Sequence, residues 1–188
     1  MDWTFTMDGN GRYESLDDKL ILACDRGLTE RVRELLERGA DVNYKHAICG
    51  WTPLHRACAG GHVDVVKVLL AQPHLDVEAT TTKGTTALHV ACKKNYTEAA
   101  LLLLRAPSAL KTASQFESLV EKRNAKGCMA LHFACRAQNL PLVKALLHNF
   151  MYGDLDFEVD DLVKLAEHNI QVRRALFSHM RKNFGWYK

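Results

Sequence analysis

Long apolar runs are missing from this 188-residue chain. The longest candidates, such as the stretch from Ala99 to Leu104, are about a third of the ~18 residues that would cross a bilayer, so no membrane insertion is expected. The opening Met1-Asp2-Trp3-Thr4 carries neither the basic nor the apolar region of a secretion signal, and the expected location is therefore cytoplasmic or nuclear. A large excess of one charge is also missing. With 25 Lys and Arg against 22 Asp and Glu, a net charge of +3 does not by itself imply a nucleic-acid footprint. A local bias remains, because Asp161 to Lys188 holds six Lys or Arg against two Asp or Glu. That end is read either as the solvated face of a terminal helix or as the contact face of a nucleic-acid or chromatin-linked adaptor.

The motifs of chemistry are missing as well. Nine histidines and six cysteines include no C-x-x-C or H-E-x-x-H pair that would anchor zinc. No nucleophile elbow, phosphate loop or dinucleotide fingerprint occurs. A cysteine and a histidine brought together only by folding is the one nucleophilic arrangement left open. Thr6 to Asp17 places Gly11 at the sixth position of a calcium-type loop, but Thr6 stands where a carboxylate is required and no helix precedes it. It reads as a polar extension. The expectation is thus no enzyme, no metal, no cofactor and no small-molecule substrate.

What is present is a period. The composition, 47% apolar and 25% charged, is that of a folded soluble chain. Leu20-Ile21-Leu22-Ala23-Cys24, Leu54-His55-Arg56-Ala57-Cys58, Leu88-His89-Val90-Ala91-Cys92 and Leu131-His132-Phe133-Ala134-Cys135 share one frame, their leading leucines 34, 34 and 43 residues apart. Each block is followed by a second apolar set: Val32 with Leu35-Leu36, Val66 with Leu69-Leu70, Ala100 with Leu103-Leu104, and Val143 with Leu146-Leu147. Spacings of three and four mark one face of a helix, so each unit is two short helices and a polar link. Helices this short do not stand alone, and stability must come from stacking unit on unit.

Gly50-Trp51-Thr52-Pro53-Leu54-His55-Arg56-Ala57-Cys58-Ala59-Gly60-Gly61-His62, with Val66 to Leu70, resembles an almost complete ankyrin repeat. Gly84-Thr85-Thr86-Ala87-Leu88-His89, Gly127-Cys128-Met129-Ala130-Leu131-His132 and Gly39-Ala40-Asp41-Val42-Asn43 carry the same resemblance. The resemblance implies an all-α solenoid of helix-turn-helix units with projecting hairpin fingers. The expected organisation is an N-terminal extension over 1–16, a repeat domain over 17–180 and a tail over 181–188. Within the domain, repeats fall at about 17–49, 50–83, 84–126, 127–156 and a degenerate cap at 157–180.

Several positions have an assigned physical duty. Thr52 and Thr86 offer hydroxyls to the first amides of a helix. Pro53 suits the first helical position, and Gly39 and Gly61 suit helix ends at positive φ. Ala23, Ala57, Ala91 and Ala134 allow close helix packing. The in-frame cysteines belong to helices stacked roughly 8 to 10 Å apart, beyond disulfide reach, so reduced thiols are expected. Cys49 and Cys128, in the links, are the thiols expected to react. By resemblance, His55, His89 and His132 hold the connecting hairpin.

Repeat four has Met129 where a capping threonine would stand, and is expected to be the least stable internal unit. The link from Arg105 to Lys126 is nine residues longer than its counterpart, and Phe116, Leu119 and Val120 would give it an apolar face. In the cap, Asp161 would start a helix through Leu162, Val163, Leu165 and Ala166, and a second helix would bury Ile170, Val172, Leu176, Phe177 and Met180. Trp186 and Tyr187 either tuck against it or meet a partner.

The resemblance further implies that a partner protein binds across a concave face and the fingers, with an adaptor, inhibitor or scaffold role. The positions assigned to it are Tyr44, Lys45, Ile48 and Trp51, then Arg56, Lys83, Val90, Lys93 and Lys94, then Phe133 and Arg136. Aromatic residues mixed with Arg and Lys suit protein contacts and favour an acidic or mixed partner segment. The rival readings are the nucleic-acid adaptor above and a structural or dimerisation unit of a larger assembly.

Overall fold

A hydroxyl punctuates the chain at the start of three inner helices, joined in one of them by a proline. The computed structural model describes residues 6–7, 13–105, 119–149 and 169–184. Ser15 starts α1 (Leu16–Asp25): its Oγ accepts from Asp18 N at 3.0 Å and its hydroxyl donates to Asp18 Oδ2 at 2.9 Å. Thr52 starts α3 (Pro53–Gly60) and Thr86 starts α5 (Ala87–Lys93). These inner helices alternate with outer helices α2 (Thr29–Glu37), α4 (Val63–Leu70) and α6 (Thr97–Leu104). The described order continues with α7 (Ala130–Arg136), α8 (Leu140–Asn149) and α9 (Ile170–Phe184). A short antiparallel pair, β1 (Thr6–Met7) with β2 (Tyr13–Glu14), precedes α1, with Thr6 opposite Glu14 and Met7 opposite Tyr13. The architecture is an all-α solenoid.

Stacking follows the period. The inner helices α1, α3, α5 and α7 pack in series, the outer helices α2, α4, α6 and α8 do the same, and α9 packs on α8 as the next outer helix. One apolar core runs through the whole series from Leu20 to Leu176. Its inner half is made by the repeating triplet: Leu20, Leu54, Leu88 and Leu131 are sealed, Ala57, Ala91 and Ala134 fill the close approaches, and Cys24, Cys58, Cys92 and Cys135 are fully buried.

The turn between inner and outer helices requires a left-handed residue in every unit: Gly27, Gly61, Asn95 and Gln138, with φ between 56° and 72°. The residues that open three of the outer helices reach back one unit. His62 Nε2 donates to Asp25 O at 2.9 Å, Asn139 Nδ2 donates to Asn95 Oδ1 at 2.6 Å, and Asn169 Nδ2 donates to Gln138 O at 3.4 Å. The repeat endings are laced in the same way, since Asn43 donates to His74 O and accepts from Asp76 N.

Leu119 and Val120 of the long link are helical and buried, as their apolar face predicts. Ile170 departs from expectation. It is 62% exposed, whereas Val172 and Leu176 are buried. Residues two apart on a helix point about 200° away from each other, so Ile170 cannot share their face. Phe116, the Asp161 to Ala166 helix, the side chain of Met180, and Trp186 with Tyr187 lie outside the described residues.

Candidate functional site

Three hairpin turns precede the inner helices α3, α5 and α7, and each closes on a glycine at positive φ: Gly50, Gly84 and Gly127. In the second and third, the closing bonds are Thr81 N to Thr85 O and Asn124 N to Cys128 O. Thr81 Oγ1 accepts from Lys83 N and Thr85 N, and Asn124 Oδ1 accepts from Lys126 N and Cys128 N, so a side chain fills each turn. The first turn is one residue longer, closing from His46 N to Trp51 O at 2.9 Å. Ile48 lies in that longer turn and is 85% exposed. The turns are joined edge to edge, Thr82 N donating to Cys49 O and Ala125 N to Lys83 O.

Buried histidines tie this row of fingers to the helices. Thr85 O is a pure acceptor, so the bond at 2.9 Å from His55 Nε2 puts the ring proton there. Nδ1 is then free to accept from Thr52 N at 3.3 Å and from the Thr52 hydroxyl at 2.8 Å, while Thr52 Oγ1 accepts from His55 N. His89 repeats the arrangement with Thr86 and with Cys128 O at 3.0 Å. Burial pushes the His55 ring down to about 4 and moves His89 in the same direction. Both are therefore neutral struts at pH 7. His132 takes the same bond from Met129 N at 3.1 Å but is only partly buried, and Met129 has no hydroxyl to add.

Burial also silences the thiols of the core, pushing Cys24, Cys92 and Cys135 up to about 12 and Cys58 upward as well. All six cysteines are free. Cys49 and Cys128 are partly exposed on the fingers, and Cys49 Sγ lies 3.4 Å from His46 Nδ1. That contact juxtaposes a thiol and an imidazole. No group is bonded to His46 Nε2 among the described residues, so the third member that would orient a catalytic base is not supplied there. Among the described residues no group of three or more His, Cys, Asp or Glu is placed to hold a metal ion, and no helix is long and apolar enough to cross a membrane.

The candidate contact residues divide by exposure. Lys45, Ile48, Lys83, Lys93, Lys94 and Arg136 are exposed; Tyr44, Trp51, Arg56 and Phe133 are half-buried. Trp51 and Arg56 form a joint platform, the guanidinium carbon 4.8 Å from the indole centroid and Arg56 Nη1 3.5 Å from Asp25 Oδ1. Cation–π stacking and the ion pair hold the guanidinium and the indole in place. Phe133 packs edge-on against His89, centroids 6.1 Å apart. Tyr44 donates to Asp18 Oδ1 at 3.1 Å, and burial with that bond moves its hydroxyl pKa upward. Val90 is different, at 5% exposure. Assigned to a surface slot by position, it is covered by its neighbours and offers little area to a partner.

Some features escaped the reading of the chain. Ser15 caps α1 outside the Thr-Pro pattern, although its Ser-x-x-Asp spacing is a recognisable cap signal. The extra residue beside Ile48 has no local sequence signal, since it emerges only from which amide closes the turn.

The comparisons with known proteins agree with this geometry. A family model described as ankyrin repeats in three copies matches residues 20–114, and one described as an ankyrin repeat matches residues 126–157. The chain is similar to the 2-5A-dependent ribonuclease of Mus musculus, 49% identical over 61 residues that make up 31% of this chain and 8% of that protein. It is 36% identical over 130 residues to the ankyrin repeat and KH domain-containing protein mask-1 of Caenorhabditis elegans, covering 68% of this chain and 4% of that protein. Rabankyrin-5 of Mus musculus matches at 29% over 168 residues, 88% of this chain and 13% of that protein. The chain thus spans only a small part of the curated relatives it matches. With the family models covering well over half of its length, the chain belongs to the ankyrin-repeat family.

Proposed function

We propose that this chain is a protein-binding module that holds a partner segment across its finger row and the exposed ends of its inner helices, as an adaptor, inhibitor or scaffold. The observation that carries the reading is a contrast within each unit. Most of the positions that repeat are buried and satisfied, whereas several that differ stand exposed: Ile48 at 85%, three residues before the half-buried Trp51 of the Trp51–Arg56 platform, then Lys93, Lys94 and Arg136. No carboxylate among the described residues stands within ion-pair distance of those three cations. An exposed aliphatic tip, a preset aromatic–arginine pair and unpaired cations suit a partner of acidic or mixed charge with one apolar anchor. A cytoplasmic or nuclear setting accords with six free thiols. The catalytic names among the relatives are said of whole proteins of which this chain spans 8 to 18%, and no catalytic role is proposed.

The test is affinity capture from cell lysate by the wild type beside an Ile48→Asp, Lys93→Glu, Arg136→Glu variant. All three side chains are exposed, so the fold is expected to survive the change. Proteins retained by the wild type and lost by the variant support the reading; equal recovery by both rejects this surface.

A further inference from the structure

The outer helices at the two ends of the described stack treat arginine differently. On α2, Arg31 and Arg38 lie against Glu34, and Arg33 lies against Glu30. On α9, fifteen residues include no aspartate or glutamate. No carboxylate among the described residues stands within ion-pair distance of Arg173, Arg174 or Arg181. Helical spacing gathers Ile170, Arg173, Arg174, Phe177, Ser178 and Arg181 on one face, opposite the buried Val172 and Leu176. These six residues are the described walls of an open cavity of about 830 Å³. Within it Ile170 is 62% exposed, and the Arg173 guanidinium carbon sits 5.6 Å from the Phe177 ring centroid.

We infer that this end face docks an acidic peptide segment bearing aliphatic side chains. Carboxylates of the segment meet Arg174 and Arg181, which have no carboxylate within ion-pair distance among the described residues, and its aliphatic side chains cover Ile170 beside the half-buried Phe177. Charge complementarity selects an acidic occupant. The apolar pair selects a peptide over a nucleic-acid backbone, because phosphates would pair with the arginines and leave Ile170 in water. The surface is separate from the finger row, so it stands or falls independently of the proposed function.

The probe is a fluorescein-labelled peptide of repeated Glu-Glu-Leu-Leu, titrated with the full chain and read by fluorescence anisotropy near physiological salt. A Lys-Lys-Leu-Leu peptide and a labelled DNA duplex serve as comparators. Saturable binding of the acidic peptide alone is expected. Arg174→Glu with Arg181→Glu should weaken it roughly tenfold or more, and Ile170→Glu, at an exposed site, roughly fivefold. Arg33→Glu with Lys67→Glu, at exposed sites on the outer helices α2 and α4 that belong to neither proposed surface, should change it less than about twofold. The inference is overturned by absent peptide binding, by indifference to the α9 substitutions, or by equal loss in the α2–α4 variant. Duplex binding that competes with the peptide and ignores Ile170→Glu would also overturn it, in favour of a nucleic-acid face.

Discussion

Repeats two and four share a fold and differ in almost every local signal for it. In repeat two, Thr52 caps α3, Pro53 occupies its first position and Gly61 makes the left-handed turn at φ 70°. In repeat four those places hold Met129, Ala130 and Gln138, the last at φ 56°. Yet Leu131, Ala134, Cys135, Leu142, Val143 and Leu146 are as sealed as their counterparts in repeat two. Packing on α5 and α6 imposes the geometry that repeat four does not encode locally. Repeat four therefore takes the same fold without those local signals, held by the shared core.

The largest expected effects belong to the core and should be alike in both units. Leu54→Ala and Leu131→Ala should each cost about 2 to 5 kcal/mol in urea melts, since each deletes a fully buried side chain. A small loss at Leu131 alone would break the comparison by showing repeat four to be loosely packed.

Acidification comes next. His55 titrates at about 4 in the folded state against about 6.5 when unfolded, so the unfolded chain binds the extra proton as pH falls through that window. Its contribution is fully present above pH 6.5 and is lost on descending toward 4, a loss on the order of 2 kcal/mol between pH 7 and 5. His89 shifts the same way and adds to the slope. Equilibrium melts at the two pH values check this, and a stability that is flat across the window would reject the buried-strut assignment.

Smaller effects sharpen the difference between the units. Thr52→Ala removes the hydroxyl that both accepts from His55 N and donates to Nδ1, and should cost about 1 kcal/mol. Gln138→Gly should stabilise by about 0.5 kcal/mol, because the left-handed backbone is strained for glutamine and free for glycine. Destabilisation by Gln138→Gly would mean that the side chain matters more than the turn.

The chain was legible where one physical requirement repeats. Leu, Ala and Cys in a fixed frame announce the buried side of the inner helices, and Thr-x-x-His announces a cap whose ring reaches the next finger. It was less legible where neighbours decide. Val90 occupies a slot that is half-buried as Arg56 and covered in its own unit, and only packing distinguishes the two. Ile170 carries an apolar label into a helix whose buried face lies on the other side. Asn139 and Asn169 bridge successive turns by bonds to residues 44 and 31 positions away, which no local spacing encodes. Of the candidate site, the residue types were readable; the longer first turn that lifts Ile48 was not.

The most direct test of the central claim, that recognition lives on the positions that do not repeat, is a hydrogen-exchange footprint of the chain with a captured partner. The account predicts slowed exchange at residues 45–51 and at the ends of α5 and α7, with the outer helices α4 and α6 unchanged. Slowing confined to α4 and α6, with the fingers untouched, would contradict it.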